Sequence, residues 1–402
     1  MTEHTDILVV GGGLVGASLA IALDAAGCRA TMVEAFVPKA GSPPRADERN
    51  LALARASVNG LRALGVWPHV DAHATAIRRI HVSRAGEFGA TRLEAARLGL
   101  DALGWTVPAS RLGAALAARL DTCTQLERRA PARVASIHPE AGGWRVCLDA
   151  GAASREIHTR LLVGADGTDS MIRDALGIAA DREDYRQTLM VTTVATERAM
   201  RGRAWERFSD AGPVALLPLA GGRAGLVLTV DADQADTVAA LDDAAFMAQA
   251  QARFGWRVGR LTRPGRRFVH PIRRVAARSL TAPRAVLVGN AAQTIHPIGA
   301  QGFNLGLRDA LTLAELVAGA DDPGASSRLD DYARRRAPDR DGVMAMSHGL
   351  IRLACLDAPA LAPLRTLGML AFDRVPPLRR AMLRRGMGFR GRPPRAVLET
   401  RR

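Results

Sequence analysis

The segment DILVVGGGLVGASLAIALDAAG, from Asp6 to Gly27, gives the strongest indication of the fold class. Its short apolar run predicts a β-strand, and the alanine- and leucine-rich run after the glycines predicts a helix. The turn between them has the spacing GxGxxG, with glycines at Gly11, Gly13 and Gly16. These glycines permit a tight turn and bring a pyrophosphate close to the N-terminus of the helix. The stretch therefore predicts a βαβ unit that binds a dinucleotide.

A carboxylate follows at the distance that such units require. Glu34 ends the next apolar run, TMVE, 18 residues beyond Gly16. An acidic residue there binds ribose hydroxyls and favours an adenosine ribose without a 2′-phosphate. NAD and FAD share this fingerprint, so the rest of the chain has to distinguish them. A glycine turn with a structural role alone is the alternative interpretation.

The second informative segment is RLLVGADGTDSMIRDALG, residues 160–177. A predicted strand leads into Asp166 and Gly167, and Ser170 and Arg173 follow on the next predicted helix. This pattern resembles the Asp-Gly motif of the flavoprotein aromatic hydroxylases, which implies FAD and assigns Asp166 and Gly167 to its binding. An ordinary Asp-Gly turn is the alternative.

The third segment is GNAAQTIHPIGAQGFNLGLRD, from Gly289 to Asp309. Its glycines, the bend at Pro297 and the helix pattern that starts near Phe303 are typical of backbone that closely approaches a flat, anionic cofactor. We expect this helix to direct its positive end at the pyrimidine side of a flavin, with backbone amides supplied by Gly302, Phe303 and Asn304.

With this segment included, nearly the whole chain resembles the flavin hydroxylases of ubiquinone biosynthesis, and most of all their 2-polyprenyl-6-methoxyphenol hydroxylases. Besides the third segment, two stretches carry the resemblance: GRAWERFSDAGPVALLPL, residues 202–219, and FGWRVGR, residues 254–260. The resemblance implies hydroxylation of a polyprenylated phenol by FAD and O2, through a flavin C4a-hydroperoxide. NAD(P)H is the expected electron donor, and a partner protein is the alternative donor.

The resemblance also implies roles for individual residues. The carbonyl of Pro297 would face the substrate hydroxyl, and His296 is a candidate base, or else a residue that only hydrogen-bonds the backbone. The further residues implied are Arg49, Gly289 and Asn290 for FAD, and Phe208, Leu216 and Pro218 for the roof of a dry substrate pocket.

Two positions depart from most relatives, which have Asp where this chain has Asn290 and His where it has Gln293. The amide oxygen of Asn290 can still accept a hydrogen bond from a ribitol hydroxyl, although it lacks the charge that strengthens such a bond.

The expected fold class is α/β, with an FAD-binding Rossmann-like domain of the glutathione reductase type. We assign this domain to residues 1–75, 100–180 and 275–320. An interleaved antiparallel β-sheet domain for the substrate, residues 76–99 and 181–274, and a helical C-terminal region, 321–402, complete the chain. The strands of the second domain are predicted at LMVTTVATE, AWERFS, PVALLPL and RAGLVLTV. A helix is predicted at DDAAFMAQAQARFGW, with Asp242 or Asp243 at its N-cap.

Composition indicates one large enzyme, because 402 residues with 48% apolar content can bury a sizeable core. The net charge of +15 comes almost entirely from arginine, and aromatic residues make up 4%. Without an aromatic and basic module, we expect no nucleic-acid partner. The four cysteines form no C-x-x-C pair and the histidines show no ligand spacing, so we expect a cytoplasmic protein without a metal site.

The C-terminal region differs from the rest. Residues 378–402 contain nine arginines and one glutamate, and an apolar stretch, GLIRLACLDAPALAPLRTLGMLAF, precedes them. Such a region predicts peripheral binding at the inner face of the cytoplasmic membrane, where a polyprenylated substrate would lie. It also allows membership of a quinone-biosynthesis complex. The alternative is a helical hairpin that packs on the flavin domain.

Other functions stay open from the sequence alone. They are a sister ring hydroxylase of the same pathway, a hydroxylase of a soluble phenol, a flavoenzyme that reduces or epoxidises polyprenoids, and a non-catalytic FAD-bound assembly component.

Overall fold

The protein is described by a computed structural model that covers residues 3–36, 49–149, 154–355 and 359–398. Residues 356–358 of the apolar stretch, and the terminal arginines Arg401 and Arg402, lie outside these ranges. The helices, in chain order, are α1 Leu14–Ala25, α2 Arg55–Ala63, α3 Ala109–Leu120, α4 Met171–Ala175, α5 Ala235–Ala240, α6 Asp243–Phe254, α7 Gln301–Val317, α8 Ser326–Cys355, α9 Ala362–Arg374 and α10 Pro376–Gly386.

The strands, in chain order, are β1 Glu3–Val10, β2 Ala30–Val33, β3 Asn50–Ala54, β4 Thr75–Ile77, β5 Arg79–Arg84, β6 Ala90–Glu94, β7 Gly104–Pro108, β8 Leu126–Arg129, β9 Arg133–Glu140, β10 Gly143–Asp149, β11 Ser154–Gly164, β12 Ala180–Thr196, β13 Arg203–Phe208, β14 Val214–Pro218, β15 Arg223–Asp231, β16 Leu261–Thr262, β17 Phe268–Ala277, β18 Thr281–Ala282, β19 Ala285–Leu287 and β20 Gln293–Thr294.

The first sheet has a parallel core, in the order β19-β11-β1-β2-β8. Ile7 of β1 lies beside Leu161 of β11 and Ala30 of β2, and all three side chains are buried. Continuous apolar runs such as the end of β1 are typical of parallel strands that are covered on both faces. Strand β18 flanks this core, and the β9–β10 hairpin joins it through β11. The sequence pattern of the first segment therefore gives the expected strand, turn and helix.

The second sheet has the order β20-β17-β12-β15-β14-β13-β5-β6, and β16 pairs with β12. The four strands predicted for the second domain are confirmed within β12, β13, β14 and β15. One correction concerns the direction of pairing: β13 and β5 are parallel, so the sheet is mixed and not purely antiparallel. Parallel pairing is possible because β5 lies far earlier in the chain and no tight hairpin connects it to β13. A third sheet joins β3, β7 and β4.

The two faces of the second sheet differ in burial. Leu216, Leu226 and Leu228 point to one face and are 0% exposed, in a cluster with Phe246 and Phe254 of α6. We call this the outer face. The predicted N-cap of α6 is confirmed, because the carboxylate of Asp242 accepts a hydrogen bond of 2.7 Å from the Ala245 amide.

The opposite face, which we call the cleft face, carries apolar residues that keep accessible surface, among them Ala215, Leu217 and Val227. It is turned toward the glycine-rich loop before α7 and toward β3. Phe208 on this face packs against Ile298, and a Cβ placed on Gly225 would lie 2.8 Å from the Asn50 amide nitrogen. Partly exposed apolar side chains on an inward face indicate a cleft between the sheets.

The C-terminal helices pack on the edge of the second sheet. The Thr91 hydroxyl of β6 donates to the Met369 carbonyl of α9 at 3.0 Å, and the Arg92 amide donates to Asp373 at 2.8 Å. Leu383 and Met387 lie in a buried cluster with Leu93. Within the part of the chain that the structure describes, no helix combines the length and the apolar run needed to cross a bilayer.

Candidate active site

The turn between β1 and α1 is built around positions that exclude a side chain. Gly11 has φ +105°, and a Cβ there would lie 2.5 Å from the Ala165 carbonyl oxygen; a Cβ on Gly16 would collide with the Gly11 carbonyl. At Gly13 a Cβ would meet no atom within 4 Å, so this position faces open space. Gly13 is also the N-cap of α1, and no side chain caps the helix. The first amides of α1 are therefore available to an anion at this open position.

Glu34 lies against this turn, at the end of β2. Its carboxylate accepts the Gly12 amide at 2.5 Å and the Phe36 amide at 2.8 Å. The position is thus the one predicted for a ribose-binding acid. Arg49, also predicted to bind the cofactor, lies just before β3 with an exposed side chain, and its carbonyl accepts the Ala109 amide at 2.9 Å.

The side chains of the second segment stabilise the start of α4 and connect it to the third segment. The carboxylate of Asp166 accepts the Ser170 hydroxyl at 2.6 Å and the Ile172 amide at 3.1 Å, and Ser170 caps α4 by accepting the Arg173 amide at 2.9 Å. The buried Arg173 guanidinium donates to the Ala291 carbonyl of the third segment at 3.2 Å. These bonds join the second and third segments. Gly167 follows Asp166 with φ +91° and open space at its Cβ position.

The third segment meets the first at α1. Gly289 has φ +60°, and a Cβ on it would lie 3.0 Å from Val15; a Cβ on Gly306 would lie 2.7 Å from Val15. Close packing of α7 on α1 therefore requires glycine at both positions. Asn290 is exposed, and its side chain makes no hydrogen bond with any residue in the described ranges.

Helix α7 begins without a side-chain cap, and Gly302 in its first turn has open space at its Cβ position. Phe303 beside it is only partly buried. The Asn304 side chain accepts the Ala54 amide at 2.8 Å and donates to the Ala52 carbonyl at 2.9 Å. Asn304 thus fixes α7 to β3, and only its backbone is left for a ligand.

Behind the start of α7 lies a buried group of charges, which we call the ion network. Arg308 donates to Asp339 at 2.7 Å, and Arg336 donates to Asp309 at 2.6 Å and to Asp339 at 2.8 Å. All four side chains are 1–2% exposed. Burial opposes ionisation of Asp339, but Arg308 and Arg336 outweigh it and hold the pKa of that carboxyl below its ordinary value.

Gln293, which stands where most relatives have His, fits between two charged side chains. Its side-chain amide donates to Asp309 at 2.6 Å and accepts from Arg340 at 3.0 Å. A glutamine satisfies both partners because it has a donor and an acceptor at its end.

The loop between β20 and α7 holds His296 and Pro297. The His296 ring is buried, and its Nδ1 accepts the Ile298 amide at 3.3 Å. The ring proton therefore lies on Nε2, which is buried and finds no partner among the described residues. Burial lowers the pKa of His296 to about 4, so the ring is neutral at pH 7. In this geometry the neutral His296 ring presents an Nε2 donor, and its Nδ1 is engaged by the Ile298 amide.

Two carbonyls of this loop also accept hydrogen bonds from the protein. The Pro297 carbonyl, expected to face the substrate, accepts the Ala300 amide at 2.8 Å. The His296 carbonyl accepts the Ser347 hydroxyl of α8 at 3.1 Å.

The three residues predicted for the substrate roof do not lie together. Phe208 is on the cleft face with Ile298 and Ile351, whereas Leu216 is on the outer face with Phe246. Pro218 shares the side of Leu216, because it is two residues further along β14. Phe208 thus lines the cleft, and Leu216 and Pro218 support it from behind.

Glu206, which the sequence did not single out, occupies the cleft face. It is paired with Ala215 of β14 and Val82 of β5, and it lies two residues from Phe208. Its side chain is partly buried, and it has no hydrogen bond or ion pair with any described residue. Burial raises the pKa of this carboxyl from 4.5 to about 7, and no neighbouring charge contributes to the shift.

Comparisons with known proteins show the family of this chain. Residues 4–347 match the model of the family described as FAD binding domain. The chain belongs to the FAD-dependent monooxygenases. It is 35% identical over 390 residues to ubiquinone hydroxylase UbiL of Rhodospirillum rubrum, covering 95% of this chain and 89% of that protein. It is 31% identical to 3-demethoxyubiquinol 3-hydroxylase of Escherichia coli, covering 96% and 99%.

A solved structure shows the same fold. The p-nitrophenol 4-monooxygenase PnpA of Pseudomonas putida superposes with a TM-score of 0.80 at 18% identity, over 97% of this chain and 99% of that one.

For a member of this FAD-dependent family, the residues present fit the cofactor. Open space at Gly13 beside the uncapped start of α1 suits a pyrophosphate, and the uncapped start of α7 beside Gly302 suits an electron-rich ring. The unpartnered Asn290 amide is available to a hydroxyl-bearing chain between them.

Proposed function

We propose that this FAD-dependent monooxygenase hydroxylates the ring of a polyprenylated phenol, 2-polyprenyl-6-methoxyphenol, in ubiquinone biosynthesis. The observation that carries the proposal is the apolar, partly exposed cleft face of the second sheet, which meets the loop of His296 and Pro297 through Phe208. An apolar wall suits a prenylated ring, and it excludes water from the reaction. The names of the related ubiquinone hydroxylases support the same pathway.

Bound FAD, reduced by NAD(P)H, supplies the activated oxygen from O2. The protein binds the cofactor and orients the phenol. The residues we assign to FAD are Gly11, Gly13, Gly16, Glu34, Arg49, Asp166, Gly167, Gly289, Asn290, Gly302, Phe303 and Asn304. The positive end of α7 would stabilise negative charge that develops on the flavin, because its first amides point out of the helix without a cap. His296 would donate from Nε2 toward the cleft.

We further propose that the FAD domain comprises residues 1–75, 100–180 and 275–320.

We also propose that α9 and α10 bind a membrane surface. Six exposed large apolar residues lie on these helices and the adjoining hairpin, a concentration that suits lipid: Phe88, Leu364, Leu367, Phe372, Val375 and Leu378. Phe88 is brought to this surface because the neighbouring Glu87 pairs with Arg365 of α9. Arginines 374, 379 and 380 on the same helices would meet anionic headgroups.

The test of the hydroxylase function uses purified protein with FAD, NAD(P)H, a short-chain prenyl methoxyphenol and ¹⁸O2. One labelled oxygen in the ring, found by mass spectrometry, is the expected result. Gly13→Val should abolish FAD binding without unfolding the chain, because a side chain there meets open space. In cells that lack the protein, the methoxyphenol should accumulate, and the wild-type gene should restore its use while Gly13→Val should not. Full pathway activity with the FAD-free variant would contradict an enzymatic role.

Membrane binding is tested separately by flotation with vesicles of phosphatidylglycerol and phosphatidylcholine. The double change Leu364→Ser with Leu367→Ser should reduce the bound fraction several-fold, since each apolar side chain contributes roughly 1–3 kcal/mol on burial. The matched control is Trp256→Ser, another exposed apolar residue at a different place in the fold. Equal flotation of both variants and the wild type would contradict this surface.

A further inference from the structure

We propose that Glu206 is the catalytic residue that accepts the proton of the phenol hydroxyl during ring hydroxylation. This inference rests on the function proposed above, and it gives the cleft a base that the sequence motifs do not name.

The position of Glu206 follows from the register of β13. Glu206 and Phe208 are two residues apart, so their side chains leave the strand on the same face. Phe208 and Val82, the parallel-strand neighbour of Glu206, both belong to the cluster that contains Ile298. Glu206 therefore lies on the cleft wall, next to the apolar residues that pack against the loop after Pro297.

The surroundings of Glu206 are those of a group that awaits a ligand. Its side chain is only partly exposed, and no donor among the described residues reaches it. A carboxylate enclosed without a partner is costly for a folded protein and is usually eliminated unless it has a function. A phenol hydroxyl in the cleft would supply the missing donor.

Three other acceptors near this position each already accept a hydrogen bond from the protein. His296 Nδ1 accepts the Ile298 amide, the His296 carbonyl accepts Ser347, and the Pro297 carbonyl accepts the Ala300 amide. Glu206 is thus an acidic acceptor on the described cleft wall that has no bond to give up when a phenol enters.

The step balances as follows. The O–H bond of the phenol breaks and its proton moves to a carboxylate oxygen of Glu206, while the electron pair of that bond enters the ring. The ring carbon uses these electrons to form the new C–O bond to the activated oxygen that O2 and NAD(P)H provide in the proposed reaction. The O–O bond of that oxygen breaks at the same time, and the second oxygen atom leaves as water with the proton that the ring carbon then loses. The ring regains aromaticity, and the phenol oxygen takes back the proton from Glu206. A base whose pKa lies near the working pH suits such a two-way transfer.

Several titratable or charged groups face this part of the cleft from the elements packed around it. They are Glu183 and Tyr185 of β12, His296 of the loop before α7, His348 of α8 and Arg84 of β5. The Tyr185 hydroxyl lies 3.3 Å from His348 Nδ1, and His348 lies 3.6 Å from Glu183. Burial and Glu183 raise the pKa of Tyr185, and Arg84 pairs with Glu87 and Asp210. Tyr185 and His348 are the alternative to Glu206, and the His348→Gln variant below tests that alternative.

The first experiment measures binding without turnover. A short-chain prenyl methoxyphenol and its methyl ether are titrated into the oxidised, FAD-loaded enzyme between about pH 5.5 and 8.5, and affinity is read from the flavin absorbance. The wild type should bind the phenol about tenfold more tightly above pH 7 than below pH 6, because the ionised carboxylate of Glu206 accepts a stronger hydrogen bond from the phenol hydroxyl than the neutral acid does. The ether should bind equally at every pH, and Glu206→Gln should bind both ligands without pH dependence.

The second experiment measures turnover. Glu206→Gln should lower kcat at pH 8 by roughly 10²-fold and remove the alkaline rise of the rate, and Glu206→Asp should recover part of both. Two control variants should keep the wild-type profile: Glu94→Gln, a surface carboxylate on β6 that pairs with Arg97, and His348→Gln. An unchanged FAD content and ether affinity would show that the Glu206 variants are folded, and Glu206→Ala provides a second variant of the same position.

Three results would overturn the proposal. One is a wild-type pH profile in Glu206→Gln. Another is loss of the profile in His348→Gln and not in Glu206→Gln, which would assign the proton to the Tyr185 path. If the wild-type enzyme forms no hydroxylated ring product, the proposed function fails and this inference fails with it; product formation with an unchanged profile refutes Glu206 alone.

Discussion

Two sites with buried or partly buried acids in the described part of the chain are arranged in opposite ways. In the ion network, Asp309 and Asp339 are fully buried, and each is bonded to an arginine. On the cleft wall, Glu206 is enclosed without any such partner in the described chain. The pKa of Asp339 is lowered and that of Glu206 is raised, although burial acts on both in the same direction. Partners therefore decide whether a buried carboxylate serves structure or chemistry.

The largest effect should come from breaking the ion network. Asp309→Asn keeps the shape of the side chain but leaves the Arg336 guanidinium with one charged partner fewer in a dry environment. We expect the free energy of unfolding to fall by about 3 kcal/mol, the scale measured when one member of a buried pair is removed. Urea denaturation checks this value. A loss below about 0.5 kcal/mol, typical of surface changes, would show that the network is not as dry as its burial indicates.

Removing the unpaired carboxylate should have the opposite sign. Glu206 has a folded pKa of about 7, above its ordinary 4.5, so the native state holds the proton more tightly and loses stability as the pH rises between these values. Because the side chain keeps some exposure to water, we expect less than the full value of this rise in pKa, and Glu206→Gln should be more stable than the wild type by about 2 kcal/mol at pH 8, and equally stable near pH 4. Thermal unfolding of both proteins at the two pH values measures the difference. A variant that is less stable than the wild type at pH 8 would mean that Glu206 has a partner after all.

The smallest effect should come from a carboxylate that is neither buried nor enclosed. Glu94 pairs with Arg97 at the surface, with side-chain exposures of 34% and 46%. Glu94→Gln should change the free energy of unfolding by less than about 0.5 kcal/mol, because water screens the pair. Denaturation in low and high salt measures it. A larger change would show that burial and partners do not set the order of the unfolding effects at Asp309, Glu206 and Glu94.

Much of the fold could be predicted because its signals are local. The glycines of the first segment, the four strands of the second sheet and the Asp242 cap of α6 each depend on neighbours within a few residues. The parallel pairing of β13 with β5 could not be predicted, since it joins residues more than a hundred positions apart.

The candidate site was less predictable, and β14 shows why. Its sequence, VALLP, is apolar at every position, so no alternation reveals which residues face the cleft. Only the packing of α6 on one face of the sheet shows that Leu216 is buried on the outer face and that Ala215 lies on the cleft face. Glu206 lies in a stretch whose signal is that of a strand, and its importance depends on the absence of a partner, which only the folded chain can show.

Helix α8 connects the two regions. Its 30 residues extend about 45 Å; the first half carries Arg336 and Asp339, and the second half carries Ser347, which holds the carbonyl of His296. The ion network and the side chain that holds the loop between β20 and α7 thus belong to one continuous helix, which contains Pro338 between them. On heating, catalysis and the fold should consequently fail at the same temperature, with no interval in which an intact protein has already lost its turnover.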